Sequence, residues 1–141
     1  MTTITTNPIL TANLVPEQSR ITCLPSHFGK YMLITEGTIY SIMGELCNDY
    51  TGGYWDFFEL TNGGFFMAPK VSPETQFNIQ CDGNGYDGHM SAEAAGITVT
   101  LFAMSRLSFR YQADTFADHF HWLRDFVSDH PEASEIFAAI D

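Results

Sequence analysis

The side chains with catalytic potential are few and widely spaced along this sequence. Cys47 is a possible nucleophile, and His119 and His130 are possible bases that could act with neighbouring carboxylates in a small hydrolase. This interpretation requires a concave pocket that holds at least two of these groups within hydrogen-bond reach. The sequence contains no GxSxG, Walker A, GxGxxG or HExxH motif. Cys47 fits better as a buried thiol at the end of a helix, so we assign no catalytic residue and predict a non-enzymatic protein.

Metal-binding patterns are weak as well. His119 and His121 are two residues apart in a predicted helix, so their side chains point about 200° away from each other and cannot share one ion. The loop at residues 82–88 partly resembles an EF-hand. However, Tyr86 stands where a ligand is required, and Gly88 is one residue past the position of the turn glycine. We therefore expect neither a metal nor a cofactor.

Four aspartates form the clearest surface pattern, on a helix predicted over residues 114–129. At about 100° per residue they fall within a sector of roughly 60°, along a line about 22 Å long, with apolar residues opposite. Such a line of carboxylates could dock on a basic partner. The alternative is the solvated face of an amphipathic helix. The four residues, called the acidic strip below, are Asp114, Asp118, Asp125 and Asp129.

The last residue, Asp141, is a further candidate for partner binding. Its side chain and the terminal carboxylate put two negative charges at the carboxyl end of a predicted helix, which already carries partial negative charge. This placement is locally unfavourable by a few tenths to about 1 kcal/mol. Either the end of the chain is frayed and hydrated, or Asp141 contacts a partner.

The chain is strongly acidic, with 17 acidic residues against 6 basic ones and a formal net charge of −11. Binding to a phosphate backbone relies on clustered lysine and arginine, so nucleic acid is not expected as a direct ligand. A basic protein surface, such as the DNA channel of a nuclease, is electrostatically better suited. Acidic surfaces also simply keep soluble proteins apart, and that reading stays open.

Length and cysteine content indicate one cytoplasmic domain. A chain of 141 residues falls within the usual range of about 100–150 residues for a domain. Its cysteines, Cys23, Cys47 and Cys81, are odd in number and lack CxxC spacing, which favours reduced thiols. The first residues, MTTITTNPIL, lack the features of a secretory signal, and no apolar run reaches the roughly 18–20 residues that span a bilayer.

The elements expected to position these residues centre on an aromatic β-hairpin. Residues 54–60 and 64–67 are predicted strands, joined at Asn62-Gly63 by a two-residue type I′ turn, and Pro69 ends the second strand.

The other predicted elements flank this hairpin along the chain. They begin with a loose arm over residues 1–22, a turn at Leu24-Pro25, and a helix over 28–47. They continue with a strand over 75–80, a loop over 82–88, and a helix capped by Ser91 and running to about 108 (with a strand at 97–100 as the alternative). Helices over 114–129 and from Pro131 complete them.

This order predicts an α+β fold, in which a small antiparallel sheet with the aromatic β-hairpin is packed by about four helices in a single domain. Residues 23–141 are expected to form that domain, because the family resemblance described next begins close to residue 22.

Four blocks of sequence resemble the ArdB/KlcA-type antirestriction proteins of plasmids and other mobile elements, in the family's order. They are LPSHFG at 24–29, DYTGGYWDFFELTNGGFFMAP at 49–69, HMSAEAAGITVTLFAMSRLSF at 89–109 and HPEASEIFAAID at 130–141. The resemblance implies interference with type I restriction enzymes, so that unmodified incoming DNA survives in its host. It also implies a type I restriction-modification complex as the partner, contacted directly or indirectly.

Two binding mechanisms are compatible with this resemblance. Either the acidic strip imitates phosphates and occludes a DNA channel, or the chain acts through another surface of the complex or a host factor. One short strip on an aromatic-rich body favours the second mechanism. Besides the small hydrolase, a structural module in plasmid maintenance remains an alternative, and that would show a large apolar surface patch.

Overall fold

Two small antiparallel sheets and five α-helices build the single domain, whose computed structural model describes residues 9–141. The expected α+β fold with an aromatic hairpin is confirmed, although the strands divide into two sheets rather than one. The first sheet contains β1 (Ala12–Leu14), β2 (Trp55–Leu60) and β3 (Phe65–Pro69), and the second contains β4 (Gln76–Cys81) and β5 (Tyr86–Ser91). The helices are α1 (Arg20–Phe28), α2 (Met32–Leu46), α3 (Ala92–Tyr111), α4 (Asp114–Val127) and α5 (Ala133–Ile140).

Helix α3 is the centre of the core. Every residue from Ala94 to Leu101 is buried, and the helix packs against β3, α2, α4 and α5. The Ser91 hydroxyl caps its start by accepting a hydrogen bond from the Ala94 N–H, as predicted. The strand alternative for residues 97–100 is wrong because this stretch lies inside α3, where β-branched side chains fill the core from all sides.

The aromatic hairpin forms at the predicted place, but its turn differs from the prediction. Leu60 and Gly64 flank a three-residue loop, in which the Gly63 N–H donates to the Leu60 carbonyl at 3.0 Å. A type I′ turn needs a positive φ at both of its central residues, here Asn62 and Gly63. Gly63 has a φ of 101°, but Asn62 does not have a positive φ, because Gln112 is the only non-glycine with one among residues 9–141. The predicted type I′ turn is therefore wrong. The Asn62 side chain instead accepts a hydrogen bond from the Gly64 N–H, and it donates one to the carbonyl of Trp122 at 2.8 Å. The asparagine therefore ties the hairpin to α4.

The amino-terminal region is more structured than predicted. Residues 12–14 form β1, which pairs with β2, and Val15 is 4% exposed, so the stretch 12–22 belongs to the folded domain and is not a loose arm. The part of the arm before residue 9 lies outside the described residues. Pro25 lies inside α1 rather than in a turn. Gly29, with a φ of 52°, ends α1 and divides the single helix predicted over 28–47.

The second hairpin was only half predicted. β4 was expected, but the second half of the loop predicted over 82–88 is the start of β5, and Gly85 supplies the positive φ of 77° in the turn between them. Tyr86 stabilises that strand through packing and a hydrogen bond from its hydroxyl to Glu135 on α5. Pro131 lies in the turn before α5, which begins at Ala133. No helix among residues 9–141 has the length and apolar character needed to cross a membrane.

Candidate functional site

The acidic strip is solvent-exposed, as its helical spacing predicted. Phe116, Leu123 and Val127 are buried on the opposite side of α4, while all four aspartates of the strip are exposed. Asp129 lies in the turn just beyond the end of α4. Across residues 9–141, no lysine, arginine or histidine nitrogen lies within 4.0 Å of these four carboxylates. The strip is therefore an uncompensated line of negative charge, available to a cationic group.

Asp141 has a partner within the chain. Its carboxylate lies 3.6 Å from a guanidinium nitrogen of Arg124, and its N–H donates to the Phe137 carbonyl at 3.0 Å. The guanidinium of Arg124 also stacks 5.1 Å from the ring centre of Phe137. These contacts tie the end of the chain to α4 and α5, while the Asp141 side chain stays hydrated, since it is 61% exposed. This ion pair was not predictable from the sequence, since Arg124 lies on α4 and Asp141 directly follows α5.

Polar contacts from the last residue of β5 and from the turn between β4 and β5 fix the position of α5 and hence of Asp141. Glu132 accepts hydrogen bonds from the N–H and the hydroxyl of Ser91, so the residue that caps α3 also holds the start of α5. Near the other end of α5, the Asn84 side chain donates to the carbonyl of Ala139 at 2.7 Å. Because both ends of α5 are anchored, Asp141 is presented in a defined place.

Asp141 also lies at the rim of a hollow in the described part of the chain. This hollow has a volume of about 420 Å³ and runs between α2, α3 and the turn after β4. A second hollow of about 120 Å³ shares Phe102, Ile140 and Asp141 with the first and adds Arg124. Apolar residues form the floor of the larger hollow and charged ones its rim, where Arg106 pairs with Glu45 at 3.3 Å. Such a site suits an apolar group that carries a charge or a hydrogen-bonding end.

The groups proposed for a hydrolase do not come together. Cys47 is 1% exposed, and burial raises the pKa of its thiol, which makes it unreactive. His119 is buried against Phe28, and the Nε2–H of His130 donates to the Glu93 carboxylate at 2.6 Å beside the start of α3. None of the three lines the hollows described above. The particular arrangement that the hydrolase interpretation required is therefore not formed.

His119 is held in a neutral state in the core. Burial, and after it the nearby His27, lowers the pKa of His119 from an ordinary 6.5 to about 4. The unfolded chain takes up this proton near pH 6.5, whereas the folded chain takes it up only near pH 4. Stability from this group is therefore complete above about pH 6.5 and is lost as the pH falls.

We expect the protonation of His119 alone to lower the free energy of unfolding by about 2 kcal/mol from pH 7 to pH 5. The total loss from pH 7 should reach about 3 kcal/mol below pH 4. Urea denaturation at pH 7 and pH 5 measures this change. His119→Phe, which keeps an aromatic ring in the pocket, should remove most of it, and His121→Gln at an exposed position should not. An equal pH dependence in wild type and His119→Phe would contradict the assignment.

One cluster of metal-ligand type was missed by the sequence reading. Cys23 and His27 on α1 and Glu59 on β2 offer three ligand atoms that all lie within 4.8 Å of one another. Burial raises the pKa of the Cys23 thiol to about 12. The sequence signal for this cluster is the spacing of four residues between Cys23 and His27, which puts both side chains on one face only if the segment is a helix. Because a turn was predicted at residues 24–25, the two side chains were not expected to lie together.

Comparison with known proteins places the chain in a family. A model described as antirestriction protein matches residues 48–141, which is more than half of the chain. The chain belongs to the antirestriction protein family. The resemblance found in the four sequence blocks is thereby confirmed.

Similar members of the antirestriction family match almost end to end. An antirestriction protein KlcA from Escherichia coli is 42% identical over 137 residues, covering 94% of this chain and 95% of the relative. A second Escherichia coli KlcA is 43% identical over 142 residues, covering 96% and 95%. A solved structure from work on KlcA and ArdB has a TM-score of 0.88 and 41% identity over 99% of this chain and 100% of that one. KlcA and ArdB are described there as having a novel fold and antirestriction activity against type I DNA restriction systems in vivo but not in vitro.

Proposed function

We propose that this chain relieves type I restriction of incoming DNA by binding, without catalysing a reaction. The observation that carries this proposal is the match over nearly the whole chain, at 41% identity, to a structure from work on proteins that are active against type I systems in vivo. Its place of action would be the cytoplasm, where incoming DNA meets the restriction enzyme. The partner would be the type I restriction-modification complex, reached directly or through a host factor.

Imitation of DNA is the less favoured mechanism. A competitor that fills the DNA channel needs only the enzyme as its partner, so it should inhibit in a purified mixture. KlcA and ArdB are active in vivo but not in vitro, which favours a mechanism that needs a further cellular component or state. The charge pattern supports the same conclusion, because the acidic strip is one line about 22 Å long rather than a long double contour of phosphates.

The carboxyl end is the favoured contact surface. Asp141 is anchored through α5, is 61% exposed in its side chain, and borders the 420 Å³ hollow with its apolar floor. A partner that inserts an apolar group into the hollow could replace Arg124 as the counter-charge of Asp141. The acidic strip is the second candidate surface, since its carboxylates have no counter-charge within the described part of the chain.

Salt dependence of binding distinguishes the two mechanisms. Contacts made by several exposed charges weaken strongly with salt, because the Debye length falls from about 14 Å at 50 mM to about 7 Å at 200 mM. We expect binding of this chain to a purified type I complex to be absent, or to change less than about tenfold between these concentrations. Fluorescence anisotropy with labelled chain measures it. A loss well beyond tenfold, abolished by replacing the four strip aspartates with asparagine, would instead favour occlusion of the DNA channel.

A further inference from the structure

Cys23, His27 and Glu59 form a three-residue cluster on the side of the molecule where α1 lies against β2. Cys23 is 4% exposed, while the side chains of His27 and Glu59 are 13% and 48% exposed. The cluster is thus open to solvent at its carboxylate and closed at its thiol. It lies outside the hollow beside Asp141 and takes no part in the proposed function.

We propose that these three side chains bind a divalent transition-metal ion of the zinc class. A thiolate, an imidazole and a carboxylate are all common zinc ligands, whereas calcium and magnesium prefer oxygen ligands alone. The sulfur selects for zinc over those harder ions. Three protein ligands leave a fourth position, which water can occupy.

The three ligand atoms already lie near one another, all within 4.8 Å. Cys23 and His27 are four residues apart on α1, so their side chains lie on the same face of the helix. The Nε2 atom of His27 lies 2.7 Å from the carboxylate of Glu59, whereas two such atoms bound tetrahedrally to one zinc are about 3.3 Å apart. A small rotation of the half-exposed Glu59 side chain provides this difference without movement of the backbone.

The surroundings fix the imidazole ligand before the metal arrives. The ring of His27 contacts the rings of Phe65 and His119, with centroid distances of 5.5 and 5.1 Å. The backbone carbonyl of His27 accepts a hydrogen bond from Thr115 at 3.2 Å, which ties this end of α1 to α4. Binding would release the thiol proton of Cys23 to solvent and connect α1 with the hairpin.

Titration calorimetry tests the proposal on full-length protein that has been treated with a chelator and dialysed. Zn²⁺ should bind with a stoichiometry of one per chain, and Glu59→Gln and Cys23→Ser should each weaken binding at least tenfold. Cys47→Ser is the matched control, because it removes another buried thiol and should leave affinity unchanged. With Co²⁺ as the probe, a sulfur-to-cobalt charge-transfer band should appear in wild type and Cys47→Ser and be absent in Cys23→Ser.

Glu59→Gln keeps the test decisive if Cys23→Ser does not fold, because position 59 is half-exposed and the amide preserves the shape of the side chain. Circular dichroism of each variant shows whether the fold is retained. The proposal is overturned if wild type binds Zn²⁺ no more tightly than Glu59→Gln, or if Co²⁺ gives no sulfur charge-transfer band.

Discussion

Replacing Gly96 by alanine should lower the free energy of unfolding by about 3 kcal/mol. Gly96 lies in the buried middle of α3, and a Cβ atom there would lie 2.3 Å from the Met67 carbonyl oxygen and 2.5 Å from the Ala68 Cβ. These atoms belong to β3 itself, so they cannot move aside as the end of a flexible side chain can. The helix would have to move away from the sheet and loosen the core around it.

Gly44 provides the matched control for this experiment. It also lies inside a helix, α2, but it is exposed, and an added Cβ would meet no atom within 4 Å. Gly44→Ala should therefore raise the free energy of unfolding, by up to about 1 kcal/mol, because alanine has the higher helix propensity. Urea denaturation at pH 7 measures both variants. Equal stability of Gly96→Ala and wild type would show that α3 and β3 are not in such close contact.

The contact at Gly96 also shows what the sequence could and could not predict about the fold. The run AEAAG at residues 92–96 favours a helix, and the capping role of Ser91 was readable from its position. The reason for a glycine rather than a fifth good helix former was not readable. It depends on the approach of β3, which is more than 20 residues away in the chain.

Errors at the amino terminus have a similar origin. Proline is usually unfavourable inside a helix, so Pro25 was expected in a turn, although α1 includes it. Packing of Cys23, Leu24 and Phe28 into the core stabilises the helix despite the missing N–H. Strand β1 is three residues long and forms only because β2 supplies its partner. Tertiary contacts therefore overrode local preference at both places.

The candidate site was predictable only where it depends on one helix. The exposure of the acidic strip follows from the 3.6-residue period of α4. By contrast, the Arg124–Asp141 pair and the 420 Å³ hollow each combine elements that are distant in the chain. The same holds for the metal-type cluster, since Glu59 joins Cys23 and His27 only through the packing of β2 against α1.

Asp141→Asn should reduce protection against type I restriction at least tenfold. The substitution removes one charge at the rim of the hollow while it keeps the size of the side chain. Its effect on folding should be small, because the ion pair with Arg124 is 42% and 61% exposed at its two side chains, and such pairs contribute only about 0–1 kcal/mol. Glu74→Gln is the control, because it also removes one charge at an exposed position but is distant in sequence from Asp141. This variant should protect like wild type.

The acidic strip gives the opposite expectation. Replacement of Asp114, Asp118, Asp125 and Asp129 by asparagine removes four charges but changes no ion pair among residues 9–141. If the carboxyl end rather than phosphate imitation carries the activity, this quadruple variant should protect nearly as well as wild type. Relief of self-repulsion along α4 should leave it at least as stable.

The most direct test is the survival of unmodified phage in cells that carry a type I restriction system, at matched soluble expression of each variant. We expect wild type, Glu74→Gln and the quadruple strip variant to raise survival, and Asp141→Asn to do so at least tenfold less. Loss of protection only in the quadruple variant would contradict the carboxyl-end mechanism and support occlusion of the DNA channel. Absence of protection by wild type would contradict the antirestriction proposal itself.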